Sequence, residues 1–390
     1  MADERATFTH RCRRHLEGLL GVPATEGNEV TVLRNGDNIF PAMLEAIGAA
    51  TNTVDILTFV YWTGNIAQKM AHTLADRAKA GCRVRVLLDA FGARLMDDDL
   101  VDMLQDAGTD VRFFRPPTSW ERITEATHRS HRKVLICDEE VAFTGGVGIA
   151  EEWEGDARDH REWRDTHFRF RGPAVDGLRA AFVDNWAETH GPIFDERDRF
   201  PEQPQVGDSV VQVIRGEAEA GWSNITTLKR ALIQLAQERI RITTAYLSPD
   251  DVMLDLLCSA ARRGVEVDIL LPGVHADKRV AQIAGEQCYE QLMECGVGIY
   301  NYQRTMLHPK VMTIDGVVAN VGSSNFNSRS FSEDDEVDAV IFDRNVVEVL
   351  DAHFDEDLTW SEEMQPGRWD ERSLTQRTLE RLTALIDHQI

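Results

Sequence analysis

The sequence predicts an α/β protein built from two similar halves. Each half is a mostly buried β-sheet flanked by helices, and a pseudo-two-fold axis relates them, with one site at their interface. Three observations predict this. A short pattern, H-x-K-x4-D, occurs twice, as His131-Arg-Lys-Val-Leu-Ile-Cys-Asp138 and as His308-Pro-Lys-Val-Met-Thr-Ile-Asp315. Strand-like and helix-like segments alternate in the same order ahead of each copy. Glycine closes the matching helices in both halves, as a left-handed cap requires.

Residues 1–27 read as an N-terminal helical extension, and residues 28–190 as the first domain. In that domain Gly36 to Ile47 carries a helical apolar stripe, and TVDILTFVY (Thr53 to Tyr61) is a buried strand. A helix ending at Gly81 leads into strand CRVRVLLDA, and a helix ending at Gly108 leads into DVRFF and a loop before the first motif. Residues 191–208 hold Pro192, Pro201 and Pro204 among charges and read as a linker. The second domain, 209–365, repeats the order. Helix Thr226 to Gln237 precedes RIRITTAYL, a helix closed by Gly264 precedes VEVDILLP, and one closed by Gly296 precedes VGIYNY and the second motif. Residues 366–390 read as a C-terminal amphipathic helix.

Composition narrows the function classes. The chain has 42 basic and 66 acidic residues, a net charge of −24. That argues against a nucleic-acid partner, which needs a basic footprint. It also argues against simple electrostatic docking on an anionic membrane. A local patch of opposite sign escapes this argument, and Arg158, Arg161, Arg164, Arg169 and Arg171 are one candidate. No apolar run reaches the ~18–20 residues of a spanning helix, and the N-terminus lacks the order of a signal peptide. The six cysteines form no C-x-x-C pair and read as reduced, which points to the cytoplasm.

Lysine is scarce. Only Lys69, Lys79, Lys133, Lys229, Lys278 and Lys310 occur, and two of the six lie in the repeated pattern. Side chains two apart on a strand face the same way, so His131 lies beside Lys133 and His308 beside Lys310. A histidine next to a fixed cation suits phosphate chemistry. Neutral imidazole attacks phosphorus, a second imidazolium protonates the leaving alcohol, and lysine neutralises the phosphoryl oxygens. With 12 histidines, chance supplies roughly 0.02 such matches per chain, so two in matching positions are functional.

A glycine turn follows each motif, Gly145-Gly146-Val147-Gly148 and Gly322-Ser323-Ser324-Asn325. Its exposed N–H groups, with Ser323 and Asn325, are expected to cradle an anion. Each histidine also needs an orienting partner. Asp165 lies 34 residues beyond His131 and Glu336 lies 28 beyond His308, each on a strand expected beside its own histidine. No Cys or carboxylate cluster completes a metal site around His128 with His131 or His160 with His167. Phe113 and Phe114 read as core, and Trp120 as an exposed rim.

With these residues in view, the chain resembles the phospholipase D superfamily, whose hallmark is the duplicated H-x-K-x4-D. The stretches TAYLSPDDVMLDLL, RRGVEVDILLPG, MLHPKVMTIDG and VGSSNFNSRSF resemble the second half of bacterial cardiolipin synthases. THFRFRGPAVDGLRAAFVDNW resembles the segment closing their first half. The similarity covers about residues 28 to 385 and is to the short branch without N-terminal membrane helices.

The resemblance implies a phosphatidyltransferase working through a covalent phosphohistidine, without metal or cofactor, on phospholipids such as phosphatidylglycerol at a membrane. It implies a catalytic set of His131, Lys133, Asp138, His308, Lys310 and Asp315, in which the two aspartates complete the motifs in a mainly structural role. Gly145, Gly146, Ser323 and Asn325 would bind phosphate, and Asp165 and Glu336 would orient the histidines. The alternative is a hydrolase with the same site, a phospholipase D or a phosphodiesterase or nuclease. Two positions depart from the pattern: Gly148 stands where asparagine is usual, and Ser130 precedes His131 where asparagine is common.

Overall fold

A computed structural model describes residues 2–116, 128–217, 223–277 and 288–365. In the first half, α1 (Ala2–Leu20) and β1 (Thr25–Arg34) precede α2 (Gly36–Ala49), β2 (Thr53–Thr58), α3 (Asn65–Lys79), β3 (Arg83–Asp89), α4 (Asp98–Asp106) and β4 (Asp110–Phe114). The short β5 (Arg129–Ser130) leads to the motif strand β6 (Val134–Cys137), then β7 (Val141–Gly145), β8 (Thr166–Arg171) and α5 (Ala174–Glu188). Residues 191–208 carry neither helix nor strand.

The second half begins with β9 (Ser209–Gly216), α6 (Asn224–Leu235), β10 (Arg239–Thr243), β11 (Leu247–Ser248), α7 (Asp251–Arg262) and β12 (Glu266–Pro272). It continues with α8 (Tyr289–Glu294), β13 (Gly298–Tyr302), the motif strand β14 (Val311–Ile314), β15 (Val318–Gly322), β16 (Phe326–Asn327) and α9 (Ser328–Ser332). The last described elements are β17 (Asp334–Phe342), α10 (Arg344–Leu358) and β18 (Ser361–Glu363). Gly81, Gly108, Gly264 and Gly296 all have φ between 91° and 97°, the left-handed caps that the sequence predicts.

The two halves share one mixed sheet. From its middle the order runs β1-β8-β7-β6-β2-β3-β4 in one direction and β9-β17-β15-β14-β10-β12-β13 in the other. The mirror order puts the pseudo-two-fold between β1 and β9, which pair antiparallel. Strands β2 and β17 are buried along their whole length, although β17 carries Asp334, Asp335, Glu336 and Asp338.

Helices α2, α3 and α4 cover the outer face of the first half. Helices α1, α6, α7 and α8 cover that of the second. A third core joins them, with Phe168, Phe170, Phe182 and Trp186 from one half against Val337, Ile341 and Leu350 from the other. Each such side chain contributes about 1.5–3 kcal/mol on burial, so the halves are held together by core packing.

Several expectations are corrected. Cys258 and Cys295 are joined as a disulfide between α7 and the turn after α8, while Cys12, Cys82, Cys137 and Cys288 are free thiols. A compartment argument from uniformly reduced cysteines therefore fails. The two partners are 37 residues apart in sequence, and no short-range motif announces them. Phe114 is core, but Phe113 is 38% exposed because β4 is an edge strand. Trp120 and residues 366–390 lie outside the described residues. Among the described residues no helix is long and apolar enough to cross a membrane.

Candidate active site

The strand register places both motifs at one cleft. Leu57 of β2 pairs with Val134 of β6, and Thr243 of β10 pairs with Val311 of β14. The motif histidines thus emerge beside the carboxyl ends of the parallel strands. His131, Lys133 and His308 line an open cleft with Phe59, Trp62, Trp153, Trp163, Tyr246 and Asn325.

The histidine–carboxylate pairs cross between halves, contrary to the expectation of partners within each half. His131 Nδ1 lies 2.9 Å from Glu336 Oε1, and His308 Nδ1 lies 2.8 Å from Asp165 Oδ2. Backbone pairing explains the exchange. Strand β5 leaves its own half and pairs parallel with β17, Ser130 opposite Asp335. Arg164 and Leu307 form the matching bridge. As a result His131 N–H donates to Asp335 O, and His308 N–H donates to Arg164 O. Each histidine is hydrogen-bonded through its backbone to the residue just before its carboxylate. Arg132, fully buried, reinforces the crossing by donating to Glu336 O, Ala181 O and Gly216 O.

The carboxylates are themselves fixed. Glu336 accepts from Ser323 Oγ at 2.5 Å and Ser330 Oγ at 2.7 Å. Asp165 accepts from Trp153 Nε1 and from Thr166 N–H. Despite burial, the His131 charge and its hydrogen bond hold the Glu336 carboxyl down to about 2. Asp165 is also lowered, by His308. Burial dominates for the imidazoles and disfavours their cations. His131 is lowered to about 3 and His308 to about 4, the latter also by the Lys310 charge. Both are neutral near neutral pH, with Nδ1 tied to a carboxylate; Nε2 of His131 is left for the cleft, while Lys310 Nζ lies 3.0 Å from Nε2 of His308. Burial also lowers Lys133 to about 8 and Lys310 to about 7. Lys133 Nζ donates to His131 O and Lys310 Nζ donates to His308 O.

The motif aspartates, which complete the catalytic motifs, sit away from the cleft, as a mainly structural role requires. Asp138 lies at the far end of β6 from His131, about 20 Å away at strand rise. Its carboxylate accepts from the N–H groups of Thr51, Asn52 and Thr53. Asp315 does the same for Gln237, Glu238 and Arg239. Both tie the helix–strand turn behind the sheet.

Several N–H groups of the glycine turns, expected to cradle an anion, are taken up within the protein. Gly146 N–H donates to Thr166 O, Ser323 N–H to Val337 O, and Asn325 N–H to Ser330 Oγ. The glycines instead make room: a Cβ on Gly145 would lie 2.7 Å from the His167 backbone, and one on Gly146 would lie 2.2 Å from Asp165 Oδ1. Ser323 supports Glu336, and Asn325 is the member of its turn whose side chain faces the cleft.

Sequence reasoning missed the aromatic wall and a third lysine. His308 packs against the touching pair Trp153 and Trp163, with ring centroids 5.3 Å and 5.5 Å away, and Phe59 meets His131 at 5.3 Å. Lys229 is buried, and its Nζ donates to Ser324 O at 3.1 Å and Asn325 O at 3.2 Å. By register its counterpart is Met43, a core residue. The signal was its scarcity, since three of only six lysines serve this site. Gly148, the counterpart of Asn325, is explained by packing. A Cβ there would lie 2.7 Å from Val60 and 3.2 Å from Trp153, which fill the space. Ser130 Oγ contacts Asn185 Oδ1 inside the core, so no polar group is lost from the cleft at that position.

The proposed arginine patch is largely neutralised. Arg158 pairs with Glu162 and Asp37, Arg161 with Asp159, buried Arg164 with Asp357, and Arg171 with Glu29.

Comparison with known proteins shows the family and the fold. The family described as cardiolipin synthase, PLD-like domain, matches residues 43–152 and 230–358, one segment in each half. A cardiolipin synthase of Geobacillus sp. (strain WCH70) is 32% identical over 366 residues, covering 93% of this chain and 73% of that protein. Cardiolipin synthase 1 of Bacillus cereus is 29% identical over 374 residues, covering 94% of this chain and 73% of that protein. The crystal structure of phosphatidylserine synthase from Haemophilus influenzae Rd KW20 superposes with a TM-score of 0.72 at 12% identity, covering 97% of each chain. That likeness concerns the fold. The paired motifs, the shared cleft and these matches identify the chain as a cardiolipin synthase-like enzyme of the phospholipase D superfamily.

Proposed function

We propose that the enzyme transfers a phosphatidyl group, through a phosphohistidine, from one phospholipid to the alcohol of a second, with phosphatidylglycerol as donor and acceptor. The carrying observation is the pair of neutral imidazoles in one cleft, each with Nδ1 held by a buried carboxylate. Nε2 of His131 attacks phosphorus and forms the P–N bond. The P–O bond to glycerol breaks, and His308 gives its proton to the departing oxygen. The phosphodiester's negative charge favours the imidazolium of His308 once bound. Lys133 and Lys310 neutralise the phosphoryl oxygens, and the Asn325 side chain positions one of them. The acceptor hydroxyl then returns its proton to His308 and attacks phosphorus, and the P–N bond breaks. Phe59, Trp62, Trp153 and Trp163 line the cleft and keep water from the intermediate, which favours transfer over hydrolysis.

This reading places the enzyme on the cytoplasmic face of the cell membrane as a peripheral protein. The test is to supply labelled phosphatidylglycerol in vesicles and identify the products by mass spectrometry. Cardiolipin with glycerol supports transfer. Phosphatidic acid with glycerol makes the protein a hydrolase.

A further inference from the structure

The carboxyl ends of β2, β3 and β4 and of β10, β12 and β13 form the edge of the sheet where the cleft opens. Apolar side chains stand exposed along this edge in both halves. In the first half Phe91 is 50% exposed and Leu95 51%, both in the turn after β3. In the second, Val274 is 61% exposed in the turn after β12, and Trp360 is 48% exposed just before β18. Phe91 and Val274 are equivalent positions. Arg83 opposes Thr53 and Glu266 opposes Arg239, the first residues of β2 and β10, and each exposed residue lies eight further on. The second-half residues are contiguous, since Gly273 N–H donates to Tyr302 O and Gln303 N–H donates to Trp360 O.

An arginine accompanies the aromatic ring in each half. The Arg94 guanidinium lies 4.5 Å from the Phe91 ring, and that of Arg304 lies 4.6 Å from the Trp360 ring. Neither arginine has a carboxylate partner among the described residues, unlike those of the Arg158–Arg171 cluster. The exposed apolar residues at the opposite edge are different. There Phe194 packs on Phe200 and Arg179 stacks on Phe200, so that cluster is internally matched.

We propose that this rim, Phe91, Arg94 and Leu95 with Val274, Arg304 and Trp360, is the surface that docks on an anionic phospholipid bilayer. The inference rests on the phosphatidyltransferase reading for its choice of occupant. Half-exposed aromatic and aliphatic groups fit the headgroup layer, and unpaired arginines complement anionic lipid. The net charge of −24 opposes approach to an anionic surface in general, so binding must be held by local features such as this rim. Docked this way, the cleft faces the lipid that it must take up.

The experiment measures co-sedimentation of the full chain with vesicles of equimolar phosphatidylglycerol and phosphatidylcholine, and with phosphatidylcholine alone. Arg94→Gln with Arg304→Gln is expected to weaken binding to the mixed vesicles by about fivefold per arginine and to erase the preference for them. Leu95→Asp and Trp360→Ala are each expected to weaken binding about tenfold. All four leave turnover of a short-chain soluble phosphodiester unchanged, since none lines the cleft. Wild-type vesicle binding by these variants overturns the proposal. So does a wild-type dimer in sedimentation equilibrium that Leu95→Asp dissociates, because the rim would then be a self-contact. If the wild type binds through the rim but leaves phospholipid intact, the phosphatidyltransferase reading fails and the docking surface stands.

Discussion

Replacing Glu336 by Gln tests the crossed pairs most directly. Gln keeps the shape, so the Ser323 and Ser330 hydroxyls retain a neighbour, but the negative charge beside His131 is lost. Attack on phosphorus makes the His131 ring cationic, with Nδ1 2.9 Å from Glu336 Oε1. Two unit charges ~4 Å apart at an effective dielectric of ~20 interact by about 4 kcal/mol. At ~1.36 kcal/mol per factor of ten, kcat should fall about 10³-fold. Asp165→Asn weakens the proton donor instead. Its loss should be similar with an alkyl alcohol as leaving group and should largely vanish with 4-nitrophenolate, which departs unprotonated. Glu336→Gln should be equally slow with both. Steady-state and burst kinetics on matched alkyl and 4-nitrophenyl phosphodiesters measure this. A Glu336→Gln enzyme retaining more than a tenth of wild-type kcat would refute the electrostatic argument. Rescue of Glu336→Gln, rather than Asp165→Asn, by the nitrophenyl group would exchange the roles of the histidines.

Stability should fall in acid for a definable reason. Both histidines are lowered in the folded state, to about 3 and about 4, so the unfolded chain takes up protons from pH ~6.5 downward that the native protein does not. Each contributes roughly 3 kcal/mol of destabilisation between pH 7 and 4, and urea midpoints of His131→Ala with His308→Ala should depend less steeply on pH than wild type. Lys229→Met installs the first half's residue and leaves the Ser324 and Asn325 carbonyls unpaired. It should cost about 1–3 kcal/mol in urea denaturation and raise KM for a soluble phosphodiester, whereas Lys229→Arg should restore KM in part. Gly148→Asn should destabilise by about 1–3 kcal/mol through overpacking against Val60, and Val60→Ala should recover much of that loss. Chelation should leave the rate on a soluble phosphodiester unchanged; loss reversed by one specific divalent ion would place a metal in the reaction.

The duplication, the alternating elements and both His–Lys pairs were legible in the sequence because they rest on short-range patterns. Period-2 alternation puts His131 with Lys133, and a glycine at φ near 90° closes a helix whatever lies beyond it. What was not legible depends on contacts between distant segments. Asp165 and Glu336 were found as residues but assigned to the wrong histidines, since nothing local reveals that β5 crosses to β17. The Cys258–Cys295 pair and the Val60–Trp153 filling above Gly148 are likewise tertiary facts. Lys229 had a sequence signal, its rarity, but no spacing to connect it with Asn325.

The exchange of carboxylates also bears on how activity arises during synthesis. A nascent chain that has emerged as far as α5 already carries His131 and Lys133, but Glu336 is still more than a hundred residues away in the ribosome's queue. Its imidazole has no acceptor for Nδ1 until β17 enters the sheet. Reactive chemistry is thus withheld from the growing polypeptide and switched on by completion of the fold. Severing the chain within 191–208 should yield two inert pieces that regain turnover only together. Two copies of a single half, docked about a two-fold, would each complete the other, so a symmetric pair of half-length chains is a workable forerunner of this fused enzyme.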